Sequence, residues 1–562
     1  MYPIRIDRPL GLSDNGVVLL LWKRLDGSAL CAVLLVAFAV ARIVATYRVF
    51  NQTFDEPAHI ASGMEWLDEG QYRYEHQHPP LARVAVALGP YLAGIRSSGL
   101  KSVYEEGNLI LYTGNHYFRT LALARMGVLP FFVIACALVW SWSRRLFGTG
   151  AALASTLLFT MLPPILAHSG LATTDMACAT FVFASIYAFS RWLQRPAWRQ
   201  SLVLGGSAAL AALSKFSSLV FLPACMLAVL LLYWFIERPP LAAFRREALR
   251  RAVSLIFAAA VLFLVIWAGY RFSVGRVMAE DRPYETIDRF LPETRLPAYE
   301  FFDGIGEVEY HNTRGHPSWL LGAYRTDGWW YFFPVVIAVK TPIAFLLLCC
   351  VGFFRLARQS VARWQEWVPG TCALAILLVC MPSKIDLGVR HILPIYPLLA
   401  MVAGLGLVRL LEAGRVRKAA AAWGLVLALW LVVSSVWSHP DYLAYFNESV
   451  GGKPEWFLAE SDLDWGQDLQ RLSDKLKELG VQQVSLAYFG TADLTRHGLP
   501  PVKPLPGYRR TTGWVAVSLH VMMIEAAAEQ KALRRSTSPL SWLDWERPVT
   551  RVGKSIDLYY VQ

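Results

Sequence analysis

A chain of 562 residues that is 55% hydrophobic and 17% charged, with a mean hydropathy of +0.38, is too apolar for a soluble protein and has the composition of a polytopic membrane protein. The formal charge of +12 does not signal nucleic-acid binding, because the basic residues fall in short clusters between apolar segments and not along one amphipathic face. Runs long enough to cross a hydrocarbon core of about 30 Å number about eleven.

In chain order they lie near 27–46, 120–142, 149–167, 173–191, 201–214, 217–236, 252–270, 331–353, 367–382, 391–408 and 419–437, the fifth being the shortest. Arg144/Arg145, then Arg191/Arg195/Arg199, then Arg238/Arg245/Arg246/Arg250/Arg251, then Arg355/Arg358/Arg363, then Arg415/Arg417/Lys418 occupy every second loop, as the positive-inside rule asks of the cytoplasmic face. Lys23 and Arg24 put the N-terminus on that face. An odd number of spans then brings the segment after 437 out on the extracytoplasmic side, with loops 47–119, 271–330 and 383–390. The first run has no small-residue cleavage site and is followed by many spans, so it reads as a retained anchor. All eight cysteines lie in expected spans and read as small apolar packing residues.

The unusual chemistry sits in the outer loops and tail. FDEPAHIASGMEWLDEG places Asp55, Glu56 and His59 just beyond the first span. YEHQHPPLARV follows, and Leu81–Ile95 is apolar but too short to span, so it is expected to lie as a helix in the interface. The second loop carries VEYHNTRGHPSWLLGAYRTDGWWYFF, dense in aromatics at the entry to the next span. From about 438 the period changes. DWGQDLQRLSDKLKELG is an amphipathic helix closed by Gly480, and VSLAYFG, WVAVSLHVMM and IDLYYVQ alternate as strands. The expected organisation is a mainly helical transmembrane part over 1–437 and a small α/β domain over 438–562.

FDEPAH, HPPLAR, HSGLATTD at 168–175 and GHPSWLLG…GWWYFFP…KTP at 315–342, taken in this order, resemble the family 39 glycosyltransferases of the GT-C class, which include protein O-mannosyltransferases and the aminoarabinose transferase of lipid A. SDLDWGQDLQRL resembles the extension of bacterial relatives. The resemblance implies a GT-C fold in the cell (inner) membrane and transfer of a monosaccharide from a polyprenyl-phosphate donor to a hydroxyl acceptor on protein, lipid or glycan at the outer face. It implies no cofactor.

Such a transfer needs a base for the acceptor hydroxyl, charge compensation for the departing phosphate and an apolar groove for the lipid chain. Asp55 and Glu56 are the catalytic candidates: Asp55 as the base, Glu56 orienting the acceptor or holding Asp55. Taken alone, the pair equally suits a helix start, with Asp at the cap and Glu in the first turn. For the phosphate and donor the candidates are His78, Arg83, Asp175, His316, Lys340, Arg390 and His391. Guanidinium geometry favours Arg83 and Arg390. His78 stands where many relatives have lysine, and a neutral imidazole compensates charge less well. Arg83 and Lys340 also suit snorkelling to head groups, and Asp175 a helix cap. His76-Gln77-His78 keeps a divalent metal open, with Asp55, Glu56 or His59 to complete the shell. Asp462, Asp464 and Trp465 read as docking and capping residues. A multi-span transporter or flippase of lipid-linked sugars is the alternative, although no internal repeat is visible and the polar constellation lies in the loops.

Overall fold

The computed structural model describes residues 27–238, 241–277, 295–359 and 363–562, with 241–247 described in backbone only. Lys23 and Arg24, and the side chains of Arg245 and Arg246, therefore lie outside the described residues.

Among the described residues, seven helices are long and apolar enough to cross a membrane: Gly27–Arg48, Tyr117–Phe147, Asp175–Gln194, Ser218–Glu237, Ala248–Gly269, Ile395–Ala413 and Lys418–Trp437. Two bent pairs, Thr149–Thr160 with Pro163–Ser169 and Phe332–Lys340 with Ile343–Ala357, raise the number to nine. The chain is thus a multi-pass membrane protein. The expectation of about eleven spans differs in two places. Runs 201–214 and 367–382 form helices, Trp198–Ser214 and Trp364–Cys380, of only 17 residues each. Prolines explain the two bends, since Pro163 and Pro342 each remove a donor at the break.

Asp175–Gln194 packs along Trp198–Ser214, which packs along Leu241–Gly269. Ile343–Ala357 and Thr149–Thr160 both pack on Ile395–Ala413, whose central residues are fully enclosed. At the bundle perimeter, Ser218–Glu237, Ala248–Gly269 and Lys418–Trp437 bury only 22%, 17% and 22% of their apolar windows, the pattern of helices facing lipid. The expected interfacial helix is Pro80–Leu92. It buries Ala82, Arg83, Val86 and Ala87 and leaves Leu88 and Leu92 exposed.

Two loops cover one end of the bundle. The first adds the helices Glu56–Asp68 and Val103–Tyr112, and the second a two-stranded ribbon, β1 (Val274–Arg276) with β2 (Arg295–Pro297), the helix Tyr299–Arg314, and the hairpin of β3 (Ser318–Leu320) and β4 (Ala323–Arg325). Beyond 437 the chain forms a mixed sheet in the order β6 (Val502–Pro504), β5 (Val484–Ala487), β7 (Gly513–Ser518), β9 (Ile556–Val561), β8 (Thr550–Val552). β5 runs parallel to β6 and β7, while β9 is antiparallel to β7 and β8. Strand alternation gives the sheet two cores: Ala516, Ile556 and Leu558 pack with the helix Leu469–Glu478, and Val515, Val517 and Tyr559 pack on the other face.

Candidate active site

The helix Glu56–Asp68 starts with Pro57 in its first turn, where a missing N–H costs nothing. Asp55 stands at the N-cap position but makes no capping bond. Its carboxylate accepts a 2.8 Å bond from Arg390 Nη1, and Arg390 Nη2 donates to Glu460 at 3.2 Å. The Arg390 guanidinium lies 4.2 Å over the ring of Trp465, and His316 approaches Glu460 at 3.8 Å. Two separate stretches of chain, one at Asp55 and one at Glu460–Trp465, therefore converge on one guanidinium, and a third reaches Glu460 through His316. Arg390 is held by a tight turn. Gly388 has φ of +75°, and a Cβ there would meet Asp462 Oδ2 at 2.1 Å, while Asp462 accepts from the Val389 amide at 3.0 Å.

Asp55 sits in a cleft with its side chain 23% exposed. The surrounding protein pushes its pKa above the ordinary value, and Arg390 opposes that rise. Glu460 goes the other way. Burial alone would raise it, but Arg390 and then His316 bring it down to about 2. The cluster thus holds one carboxylate firmly ionised beside another whose proton affinity is increased, an arrangement suited to a group that takes up a proton in a reaction.

Glu56 has a different environment. It is fully buried, and its two oxygens accept from Arg125 Nε and Nη2 at 2.8 Å each, from the Thr53 amide at 2.8 Å and from the Ala172 amide at 2.8 Å. Arg125 also donates to the carbonyls of Phe50 and Asn51. No oxygen of Glu56 is left for an acceptor, so of its two expected roles only holding Asp55 in place matches this geometry.

Three of the donor candidates are likewise occupied. Arg83 is fully buried and donates to His59 Nδ1 at 3.1 Å, Tyr72 Oη at 3.0 Å, the Glu75 carbonyl at 2.9 Å and the Glu75 carboxylate at 2.6 Å. Lys340 does not snorkel. It donates to the carbonyls of Leu443 at 2.8 Å and Asp462 at 2.6 Å, below the Phe446 ring. Asp175 accepts from Lys215 at 2.6 Å and makes no capping bond of its own. His76 and His78 do not act as a pair. His76 hydrogen-bonds Asp303 and the Tyr72 carbonyl, whereas the His78 ring lies 5.0 Å from that of His59. Burial and Arg83 lower the pKa of His78, so it is a neutral imidazole.

Beside this cluster lies a cavity of about 430 Å³. Leu219, Val220 and Val379 form part of its apolar wall, and His78, Lys215 and His391 its polar wall. His311 also lines it and joins cavity to cluster: its Nε2 lies 3.3 Å from His316 Nδ1, one contact from Glu460. The His391 ring stacks on Phe333 with its Nδ1 buried and unpartnered. Lys215, a single cation between two apolar runs, is the cation in the cavity wall. The preference for guanidinium geometry in the sequence reading passed over it. Glu460 and Trp465 were missed as partners of Arg390. Their signal is the acidic run FLAESDLDW in an otherwise amphipathic tail, and nothing in that run says which acid turns inward. Asp462 and Asp464 dock: Asp464 accepts from the amides of His520 at 2.9 Å and Gly466 at 3.1 Å, and neither caps the helix Leu469–Glu478.

Residues 122–267 match the family model of the dolichyl-phosphate-mannose-protein mannosyltransferases. Among solved structures the chain is similar to ArnT from Cupriavidus metallidurans bound to undecaprenyl phosphate, at 14% identity and a TM-score of 0.50 over 94% of this chain and 97% of that one. It is also similar to the oligosaccharyltransferase of Archaeoglobus fulgidus in the apo form, at 11% identity and a TM-score of 0.49 over 89% of this chain and 70% of that one. No curated protein matches the chain in sequence. The resemblance read from FDEPAH, HPPLAR and the later motifs is borne out by the family match and by a fold shared along nearly the whole chain with ArnT.

Proposed function

We propose that this protein is an inverting glycosyltransferase that moves a monosaccharide from a polyprenyl-phosphate carrier to a hydroxyl acceptor on the outer face of the cell (inner) membrane. The N-terminus is cytoplasmic, the bundle makes about eleven crossings, counting its two short helices, and residues 438–562 form an extracytoplasmic α/β domain. The observation that carries the reading is the Asp55–Arg390–Glu460 cluster set next to an apolar cavity with Lys215 in its wall. A transporter would place its ionisable groups at mid-membrane between related halves.

The acceptor oxygen attacks the anomeric carbon, the carbon–oxygen bond to phosphate breaks, and the polyprenyl phosphate leaves with the electron pair. Asp55 takes the hydroxyl proton. Arg390 holds one of its oxygens, which orients the other, and the raised proton affinity of Asp55 favours the transfer as the new bond forms. Lys215 compensates the leaving phosphate, and the apolar wall receives the first isoprene units. Arg83, Lys340 and Glu56 shape the site from behind.

The test is transfer of radiolabelled sugar from synthetic polyprenyl-phosphate donors to a membrane extract, comparing the parent with Asp55→Asn. Loss of a general base lowers turnover about a hundredfold or more and leaves donor binding intact. A variant as active as the parent would remove Asp55 from the chemistry, and a parent that consumes no donor at all would bring the flippase reading forward.

A further inference from the structure

The helix Tyr299–Arg314 carries Glu300, Asp303 and Glu307 on one face, spaced three and four residues apart. That face meets the first loop at His76. The imidazole Nε2 donates to the Tyr72 carbonyl at 2.6 Å and Nδ1 donates to Asp303 Oδ2, so a cation bound here would take the place of the Nδ1 proton. A histidine whose second nitrogen donates to a backbone carbonyl has the usual arrangement of a metal ligand. Glu307 brings a third donor, and the ligand atoms of His76, Asp303 and Glu307 all lie within 4.8 Å of one another.

Two further observations single this cluster out. Asp303 is 4% exposed, yet its Oδ1 is buried without a hydrogen-bond partner, a costly state for a carboxylate oxygen. The two loops also touch through backbone at this point: a Cβ on Gly304 would lie 2.2 Å from the His76 carbonyl oxygen, so only glycine lets the helix come this close.

We propose that His76, Asp303 and Glu307 form a binding site for a single divalent cation of the zinc class, which clamps the first loop to the second. One imidazole and two carboxylates make a borderline ligand set that suits Zn²⁺, leaving one tetrahedral position for water, whereas Ca²⁺ and Mg²⁺ call for six or more oxygens. The site differs from the His76/His78 pair suggested by the sequence. His78 faces His59, and the partners of His76 come from a helix more than two hundred residues further on. The clamp takes no part in sugar transfer. It fixes the position of the helix whose Ile305, Val308 and His311 line the cavity, and so it sets the width of that cavity.

The experiment uses the full chain in detergent, stripped with chelator, supplied with a small excess of Zn²⁺, desalted, and assayed for bound metal by mass spectrometry. The parent should retain about one zinc per chain, with a higher thermal midpoint than the stripped protein, and Asp303→Asn/Glu307→Gln should retain less than about a tenth. Because the double variant loses a buried group and could fail to fold, two further measurements are made. One is the single variant Glu307→Gln, at a half-buried position. The other is the visible spectrum of the Co²⁺-loaded parent, which should show nitrogen and oxygen ligation that Glu307→Gln alters. A parent that keeps no metal, or variants that keep as much as the parent, would overturn the proposal and leave His76–Asp303 as a plain ion pair.

Discussion

Asp55 and Glu56 are adjacent in sequence, but the structure assigns them opposite sensitivities, and substituting Glu56 tests the assignment. Glu56→Gln preserves shape and one carbonyl acceptor but removes the charge that faces Arg125 from 2.8 Å on both oxygens. Arg125 is then a fully buried guanidinium with no charged partner, left with the carbonyls of Phe50 and Asn51 and one amide oxygen. Breaking a buried pair in this way costs about 3–5 kcal/mol, and an orphaned amide of Thr53 or Ala172 would add about 1–3 kcal/mol. Glu56→Gln should therefore lower the thermal midpoint in detergent markedly, whereas Asp55→Asn, at a group 23% exposed, should barely move it. Adding Arg125→Met to Glu56→Gln should recover part of the loss, since the uncompensated charge goes with it. The assay is intrinsic fluorescence on heating, with turnover measured on the same preparations. If Glu56→Gln keeps the parent's midpoint and loses turnover as Asp55→Asn does, Glu56 acts in the chemistry and the structural assignment fails.

Further outcomes follow from the same geometry. Lys215→Met, paired with Asp175→Asn so that no buried carboxylate is left alone, should weaken binding of undecaprenyl phosphate about ten- to a hundredfold, the worth of a charged hydrogen bond of about 1.5–3 kcal/mol; unchanged binding in a titration would place the phosphate elsewhere. Glu460 has a folded pKa depressed to about 2 by Arg390 and His316, so its contribution, on the order of 3 kcal/mol, is complete above the unfolded value near 4.5 and disappears as pH falls through 2. The parent's thermal midpoint should drop across that window more steeply than that of Glu460→Gln, and parallel curves would refute the link. Lys340→Met should release the contacts to Leu443 and Asp462 and lower stability by several kcal/mol without the selective loss of donor affinity expected of a phosphate ligand.

The apolar runs were legible because membrane crossing imposes length and composition directly, and each expected run has a helix. The exceptions show where that rule stops. Trp198–Ser214 is packed between Asp175–Gln194 and Leu241–Gly269, so protein covers most of it, with Leu202 and Val203 left exposed, and its length is free to fall short. FDEPAH was legible as chemistry, but not the fates of its two acids. A step of one residue at a helix start turns the side chain by about 100°, and that rotation sends Asp55 to the cleft and Glu56 to Arg125. HxH suggested a shared metal, but at that spacing in an irregular loop the backbone decides the direction of each ring, and here they part. Arg83 and Lys340 carried the right charge for a phosphate. Their partners, Tyr72, Glu75 and two carbonyls of the tail, are set by tertiary approach that spacing does not encode.

The tail belongs to the site as well as to the surface, and Trp465 is where this can be decided. It is 1% exposed, its carbonyl accepts from the Phe54 amide at 2.9 Å next to Asp55, and its ring carries the Arg390 guanidinium at 4.2 Å. Asn51 fastens the same corner, donating to the Gly466 carbonyl at 2.8 Å and accepting from the Leu469 amide at 2.8 Å. Trp465→Ala removes both packing and the cation–π contact, about 3–5 kcal/mol and about 0.5–2 kcal/mol respectively, and frees Arg390 to swing away from Asp55. Trp465→Phe keeps an aromatic face beneath the guanidinium at the cost of volume. If the ring positions the base through Arg390, the Phe variant should keep turnover within about tenfold of the parent while the Ala variant loses about a hundredfold, measured at a temperature where both stay folded. Equal losses in the two variants would mean that the tail contributes bulk alone, and that Asp55 is oriented entirely by the first loop.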